Sequence, residues 1–390
     1  MIPDGWERGL MGELIELISG QHIEAQFYNE DKIGIPYLTG PSDFQDGKIN
    51  ITKYTEQPKV LCESGDILIT VKGSGTGKSI IANQKCCIGR QLMAVRATKL
   101  DRTFAFYIIK SKEAKYGDTA SGLIPGIARE HILETSLLIP PLLEQCKIAE
   151  VLGVWDESID LLEKLIGKTR SRKQGLMQQL LTGNKRFKEF EGSEWKKVEF
   201  GQVVLDTKLG TTKRGMGKGS NIPLLKMGNM NWGGLNFNKL EYIDEEILES
   251  EDFILKSGDF LFNTRNTPEL VGKSAVWNDR LPKAVFDNNI NRIRFHDSVN
   301  SSFVCLQLTY GSGKKKIHAA SSGTTSVSAI YWKNLQKINL FLPSLPEQEK
   351  IAAVLSAADE EISTLEKQLA AYKQQKLGLM QQLLTGRIRI

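Results

Sequence analysis

The sequence predicts an α+β chain: two mixed α/β blocks separated by two long helices that pair as an antiparallel coiled coil, with pseudo-two-fold symmetry. Three observations lead there. Residues 144–183 and 347–386 align at a constant offset of 203, and 23 of the 40 pairs are identical, where chance gives about two or three at average composition. Both copies carry apolar residues at alternating steps of 4 and 3 over nearly five heptads, the pattern of a coiled-coil seam. A weaker repeat runs through the segments before them. Trp6 and Gly12 match Trp195 and Gly201, Ile35-Pro36 matches Ile222-Pro223, Gly65-Asp66 matches Gly258-Asp259, and Gly77-Lys78-Ser79 matches Gly272-Lys273-Ser274. The chain therefore divides as 1–141, 142–187, 188–343 and 344–390, a block followed by a helix, twice.

The blocks come first in each half. Residues 6–19 and 195–205 suit a short helix or strand. Short apolar strands are expected at 66–71, 91–95, 259–263, 291–295 and 337–342, between Gly, Asn, Ser and Asp turns. Helices are expected at 104–110 and 303–310. The segments 73–79, 229–237, 263–268 and 311–323 read as long polar loops.

The helices follow. In the first, the seam runs through Ile148, Leu152, Trp155, Ile159, Leu162, Ile166, Thr169, Lys173, Leu176 and Leu180. In the second it runs through Ile351, Leu355, Ala358, Ile362, Leu365, Leu369, Tyr372, Lys376, Leu379 and Leu383. Thr169/Lys173 and Tyr372/Lys376 weaken the seam at equivalent places. Each helix is expected to start after a proline, Pro141 or Pro346, and to stop at Thr-Gly, with Gly183 and Gly386 as the ends. The stretches 175–183 and 378–386 share all nine letters, including Met177-Gln178 and Met380-Gln381, while 164–172 and 367–375 match only at Lys164/Lys367. Seam packing needs only apolar character. Identity at exposed glutamines points to one kind of partner docking twice.

Composition bounds the rest. The chain has 390 residues, 41% hydrophobic and 25% charged, which is ordinary for a folded protein of two to three domains. No apolar run approaches the ~20 residues of a membrane span, and the N-terminus lacks the basic and apolar regions of a secretory signal. Five cysteines without C-x-x-C spacing and four scattered histidines argue against disulfides and zinc. A cytoplasmic location is expected, with no metal site and no membrane partner.

Net charge is only +5, but acid-free stretches at 67–100 and 207–240 hold six Lys/Arg each, and 298–346 holds five Lys. Such stretches suit phosphate or serve as plain solvated faces. The candidates for nucleic-acid contact are Lys72, Ser74, Thr76, Lys78, Arg90 and Arg96 in the first block. In the second they are Lys213, Arg214, Lys218, Arg265, Asn266, Asn289, Arg292, Lys314 and Lys315. Asn and Arg side chains there suit adenine and guanine edges.

Two catalytic readings fail on spacing. Gly73-Ser74-Gly75-Thr76-Gly77-Lys78-Ser79 is one residue short of a phosphate-binding G-x-x-x-x-G-K-[ST] loop, because position 72 is Lys72. Asp287-Asn288-Asn289-Ile290 lacks the prolines of an amino-methyltransferase turn, and no glycine-rich methyl-donor loop accompanies it. No catalytic residue is assigned. The alternatives to a nucleic-acid adaptor are a nucleotide hydrolase using the 73–79 loop and a helical scaffold that binds no DNA.

The residues also resemble a known family. Ile139-Pro140-Pro141-Leu142-Leu143-Glu144-Gln145-x-x-Ile148-Ala149, followed by Gly175-Leu176-Met177-Gln178-Gln179-Leu180-Leu181-Thr182-Gly183 and both repeated at the C-terminus, is similar to the specificity subunit of type I restriction-modification enzymes. The second copy has one residue more between Pro343 and Glu347. The resemblance implies two target recognition domains, each reading half of a split double-stranded DNA site, and helical spacers that bind two methylation subunits. Restriction subunits would join through the complex. It implies no cofactor in this chain, with S-adenosylmethionine, ATP and Mg expected on the partners. The residues it places in subunit binding and the coiled coil are Ile148, Leu152, Ile159, Leu162, Met177, Gln178 and Leu180, with Ile351, Leu355, Ile362, Leu365, Met380, Gln381 and Leu383. A helix of about 38 residues is about 57 Å long, enough to space half-sites lying about 34 Å apart per duplex turn.

Overall fold

In a computed structural model of the chain, residues 2–45, 47–73, 75–118, 126–214, 221–245, 250–281, 283–324 and 326–390 are described. The backbone forms two compact units. Unit 1 comprises Met1–Lys164 and Glu366–Ile390, and unit 2 comprises Leu165–Leu365. Each long helix gives one half to each unit.

The two units repeat one topology. In unit 1 an antiparallel sheet runs Ile15–Ser19, Leu92–Ala97, Ile67–Thr70, Ser79–Ile81. In unit 2 the same order is Val204–Leu209, Ile290–Phe295, Phe260–Asn263, Ser274–Val276. The inner strands Ile67–Thr70 and Phe260–Asn263 are buried at every residue, each with three apolar residues followed by a polar one, Thr70 or Asn263. A second sheet in each unit contains a parallel pair, Ile35–Leu38 with Cys86–Ile88 and Ile222–Leu225 with Val285–Phe286. A two-stranded ribbon ties the start of each block to its end, Glu7–Leu10 with Ser136–Ile139 and Lys196–Glu199 with Asn339–Leu342. Each block's opening segment is therefore strand, a short 3-10 turn and strand.

The helix Arg102–Ser111 is capped by Asp101, whose carboxylate accepts from the Phe104 amide, and Ser301–Thr309 is capped the same way by Asn300 on Phe303. A side-chain acceptor at this position satisfies a helix-end amide. The 311–323 segment departs from the expected loop, because Gly311–Ala319 is a helix. Its glycines mask the helical pattern, yet one of them is required: a Cβ on Gly313 would lie 1.8 Å from the Gln307 carbonyl oxygen. Ile317 is fully buried beneath it. The expected 229–237 loop contains a tight hairpin, Met230–Asn231 against Gly234–Leu235.

The long helices are Leu142–Leu180 and Leu345–Leu383. Pro346 lies inside the first turn rather than before it, where its missing N–H costs nothing. Gly183 and Gly386, past the helix ends, have φ +74° and +67°, the left-handed cap that glycine adopts without strain.

Within each unit the helix halves run antiparallel. In unit 1 Lys376 Nζ is 2.5 Å from Asp156 Oδ1 and Lys373 Nζ is 2.6 Å from Glu163 Oε1. In unit 2 Arg172 bonds Glu361 at 2.5 Å, and Lys173 pairs with Asp359. The polar seam positions thus carry cross-helix ion pairs, and each lysine also lies over a tyrosine ring: Lys376 over Tyr107 at 5.1 Å, Lys173 over Tyr310 at 5.5 Å.

The outer seam residues, and Met177 and Met380 beside them, also fill the cores of the units. Ile148, Leu152, Met380 and Leu383 are buried in the core of unit 1, with Phe104 and Met11. Met177, Leu180, Ile351 and Leu355 are buried in the core of unit 2, with Phe200, Phe260 and Phe303. Met177 and Met380 face inward, at 7% and 6% exposure, so they are not open to a partner. Ile159, Leu162, Ile362 and Leu365 are half-buried along the helices.

Candidate nucleic-acid interface

At one edge of each main sheet, three turns are stitched together by backbone hydrogen bonds. In unit 2 the Asn288 amide donates to the Thr211 carbonyl at 3.1 Å, and the Thr264 amide donates to the Asn289 carbonyl at 2.8 Å. In unit 1 the Val71 amide donates to the Gln91 carbonyl at 2.8 Å. The correspondence continues bond by bond. The carbonyl ending the inner strand accepts a glycine amide in both units, Gly77 to Thr70 at 2.8 Å and Gly272 to Asn263 at 2.9 Å. The next carbonyl accepts from Ile127 in unit 1 and from Ile330 in unit 2. Lys72 and Arg265 follow immediately and are therefore equivalent. Both are exposed, each on a short antiparallel pairing, Lys72 with Gly126 and Arg265 with Ala329. Arg90 and Asn288, one residue before Gln91 and Asn289, are also equivalent and exposed.

The turns of unit 2 are built on buried polar groups. Asn263 is fully buried, and its Nδ2 donates to the carbonyls of Arg265 and Asn289, each at 3.1 Å, while its Oδ1 accepts from Asn266 Nδ2. Asp287 is also buried and accepts from the Asn289 amide and Nδ2. Burial pushes its carboxyl above the usual value, opposed by the Asn289 bonds and by the Arg214 charge. Arg214 Nη2 lies 3.6 Å from Asp287 and 3.4 Å from Asn288 Oδ1. An exposed guanidinium, an amide and a fork-shaped Arg265 thus converge on one edge.

Among the other sequence candidates, Lys78 and Lys213 are exposed beside these turns, and Thr76 donates its hydroxyl to the Gly73 carbonyl at 2.6 Å. Ser74 and Lys218 lie outside the described residues. Lys314 sits 4.2 Å from the Trp232 ring centre, and Lys315 is exposed on the same helix; neither bonds the turns among the described residues. Two candidates leave the interface. Arg96 is committed to Asp66 at 2.8 Å and Glu16 at 3.3 Å. Arg292 is 2% exposed and paired with Asp206, on the strand face opposite the one its alternating neighbour Ile293 presents.

The described residues of the 73–79 loop are not arranged as a phosphate-binding loop. The segment joins two antiparallel strands, whereas a phosphate loop opens a helix. The Ser79 amide and hydroxyl both donate to Glu113 Oε1, at 2.8 and 2.6 Å, so a carboxylate already occupies those donors. Among the described residues no cluster of His, Cys, Asp or Glu is arranged to hold a metal. No described helix is long and apolar enough to cross a membrane.

The sequence reading missed two arginines. Arg389 Nη2 and Nε bond Glu144 at 2.8 and 3.1 Å, and Trp6 Nε1 donates to the same carboxylate at 3.0 Å. Arg186 makes the equivalent fork to Glu347, Nε at 2.9 Å and Nη2 at 2.5 Å. Both arginines obey the 203 offset, so the signal was present. The neighbouring glutamine of each pair completes the motif: Gln145 bonds the Pro140 carbonyl and the Asp101 amide, and Gln348 bonds the Pro343 carbonyl and the Asn300 amide.

The end of each long helix also borders a groove. In unit 2 Leu181, Thr182, Gln307, Leu340 and Phe341 line one of about 560 Å³. In unit 1 Leu384, Thr385, Ile108, Leu137 and Leu138, at corresponding positions, line one of about 420 Å³.

Comparison with known proteins agrees with this duplicated architecture. The family model described as the type I restriction modification DNA specificity domain matches twice, at residues 3–168 and 192–372. The MjaVIII specificity subunit of Methanocaldococcus jannaschii is 25% identical over 407 residues, covering 100% of this chain and 94% of that protein. The EcoKI specificity subunit of Escherichia coli K12 is 22% identical over 396 residues, covering 94% and 85%. Among solved structures, the S subunit of a type I restriction-modification system from M. genitalium superposes with a TM-score of 0.61 at 16% identity, covering 98% and 96%. A chain from a study of complex assembly and conformational transition in a type I system gives 0.60 at 19% identity, covering both chains fully. With its two specificity domains, its paired helices and its repeated sheet-edge turns, the chain belongs to the type I restriction-modification specificity subunits.

Proposed function

We propose that each unit reads one half of a split double-stranded DNA target through its sheet-edge turns, and that the chain performs no chemistry itself. The observation that carries this reading is the bond-by-bond recurrence of those turns in both units. A duplicated reader fits a target with two specific halves. Methyl transfer, and the S-adenosylmethionine, ATP and Mg that the complex uses, belong on this reading to the partner subunits. Polar side chains at the turns supply donors and acceptors to base edges and positive charge to phosphates.

The partners follow from the second repeat. Two equivalent grooves lie beside the identical nine-residue motifs, and we assign one methylation subunit to each. Mass photometry of the chain with its methylation subunit tests this. Two bound subunits are expected for the native chain, one for Thr182→Trp, and none for Thr182→Trp with Thr385→Trp, since both threonines are exposed on the groove walls. Full occupancy in the double variant would remove the grooves from the account.

A further inference from the structure

We infer that Arg265 reads a guanine in the half-site served by unit 2, whereas its structural counterpart Lys72 contacts phosphate in unit 1. The inference rests on the DNA-reading role proposed above and adds which chemistry each unit applies at the equivalent position.

The distinction comes from how each side chain is mounted. A base contact requires a donor held in place before the duplex arrives, because it must meet two acceptors on one base edge. A phosphate contact tolerates a mobile charge. Arg265 is mounted rigidly. Its residue pairs with Ala329, its carbonyl is held by the fully buried Asn263 Nδ2, and the preceding Thr264 donates both its amide and its hydroxyl to the Asn289 carbonyl, at 2.8 and 3.0 Å. The guanidinium itself makes no hydrogen bond or ion pair among the described residues, so its fork is free. A free, planar fork on a fixed backbone matches the O6 and N7 acceptors of guanine in the major groove.

Unit 1 shares the backbone pairing, Lys72 with Gly126 and the Val71 amide on the Gln91 carbonyl, but has no counterpart to the Asn263 and Thr264 side-chain bonds. Thr70 stands where unit 2 has Asn263, and its Oγ1 is buried without a hydrogen-bond partner among the described residues. It is too short to reach forward as an amide does. Lys72 then offers a flexible stem and a point charge, which suits a phosphate oxygen better than a paired base edge.

The test uses the chain assembled with its methylation subunit and DNA libraries randomised in both half-sites, with binding also measured across a salt series. For Arg265→Ala, preference for guanine should fall about 5- to 150-fold at one position of one half-site, with the other half-site unchanged. Arg265→Lys keeps the charge and should not restore the preference. For Lys72→Ala both half-sites should keep their bases, while the slope of log affinity against log salt falls by about 1. An unchanged half-site in Arg265→Ala, restoration by Arg265→Lys, or a lost base in Lys72→Ala would overturn the inference. If Arg265→Ala does not assemble, Arg265→Lys decides alone: lost guanine preference supports the inference and a native preference contradicts it. A native complex without any split preference would instead overturn the DNA-reading role on which the inference rests.

Discussion

Arg389, in the segment after the second long helix, grips the carboxylate of Glu144 in the first turn of Leu142–Leu180 through two nitrogens, at 2.8 and 3.1 Å. Arg186 and Glu347 repeat the grip in unit 2. In both units the clamp joins the chain leaving one long helix to the first turn of the other. The Glu-Gln pair in the helix-start motif is thus structural: the glutamate takes the clamp and the glutamine bonds the block it follows.

The clamp predicts a pH dependence. The Arg389 hydrogen bonds hold the Glu144 carboxyl below its usual value, against a desolvation effect that raises it and with further help from Trp6. A carboxyl depressed in the folded state stabilises above its unfolded value, about 4.3, and that contribution is lost as pH falls through the folded value. Glu144→Gln is therefore expected to lower stability by about 1–2 kcal/mol at pH 7, discounted for the half-exposed arginine. In chemical denaturation of the full chain, the gap between the two proteins should close as pH drops below 4. A gap constant from pH 7 to pH 3 would show that the carboxylate charge is not what matters.

The repeat supplies an internal control at tryptophan. Trp6 Nε1 donates to Glu144, whereas the equivalent Trp195 Nε1 is buried with no hydrogen-bond partner among the described residues. Phenylalanine removes the N–H from either ring with a similar loss of volume. Trp6→Phe is expected to cost about 1.5–3 kcal/mol more than Trp195→Phe, the range for a hydrogen bond to a charged group. Equal losses in thermal or denaturant unfolding would refute the asymmetry.

The antiparallel register predicts a coupling between residues 220 apart in sequence. Lys376 and Asp156 are paired at 2.5 Å. Asp156→Lys and Lys376→Asp alone should each destabilise the chain, and the double variant should recover about 0.5–1 kcal/mol of that loss. A double-mutant cycle with no coupling would place these residues out of register.

Much of this was legible from periodicity and self-similarity, and the misses have physical causes. The heptad seam located both helices and their glycine stops, because burial at 3.5-residue steps leaves a direct trace. The same stripe did not reveal that Ile148, Leu152, Leu180 and Leu383 also serve the cores of the units, since a seam residue and a core residue have the same character. Arg292 read as a base contact because alternation with Ile293 marks a strand but not which face is covered; its partner Asp206 lies on a different strand. The turn cluster was partly visible as Lys72, Arg265 and Asn289. Its organisation was not, because Asn263, Asn289 and Thr211 come together only through cross-strand pairing. Gly311–Ala319 was hidden by two glycines, Gly313, whose missing Cβ is needed for packing, and Gly311, which takes a positive φ.

The central claim is that two similar units read two separate half-sites. The most direct measurement is sequencing-based mapping of every base methylated when the chain and its methylation subunit act on genomic DNA lacking that modification. The expected result is one motif made of two short specific sequences separated by a fixed run of unspecified base pairs. A single uninterrupted motif, or methylation without sequence preference, would contradict the claim.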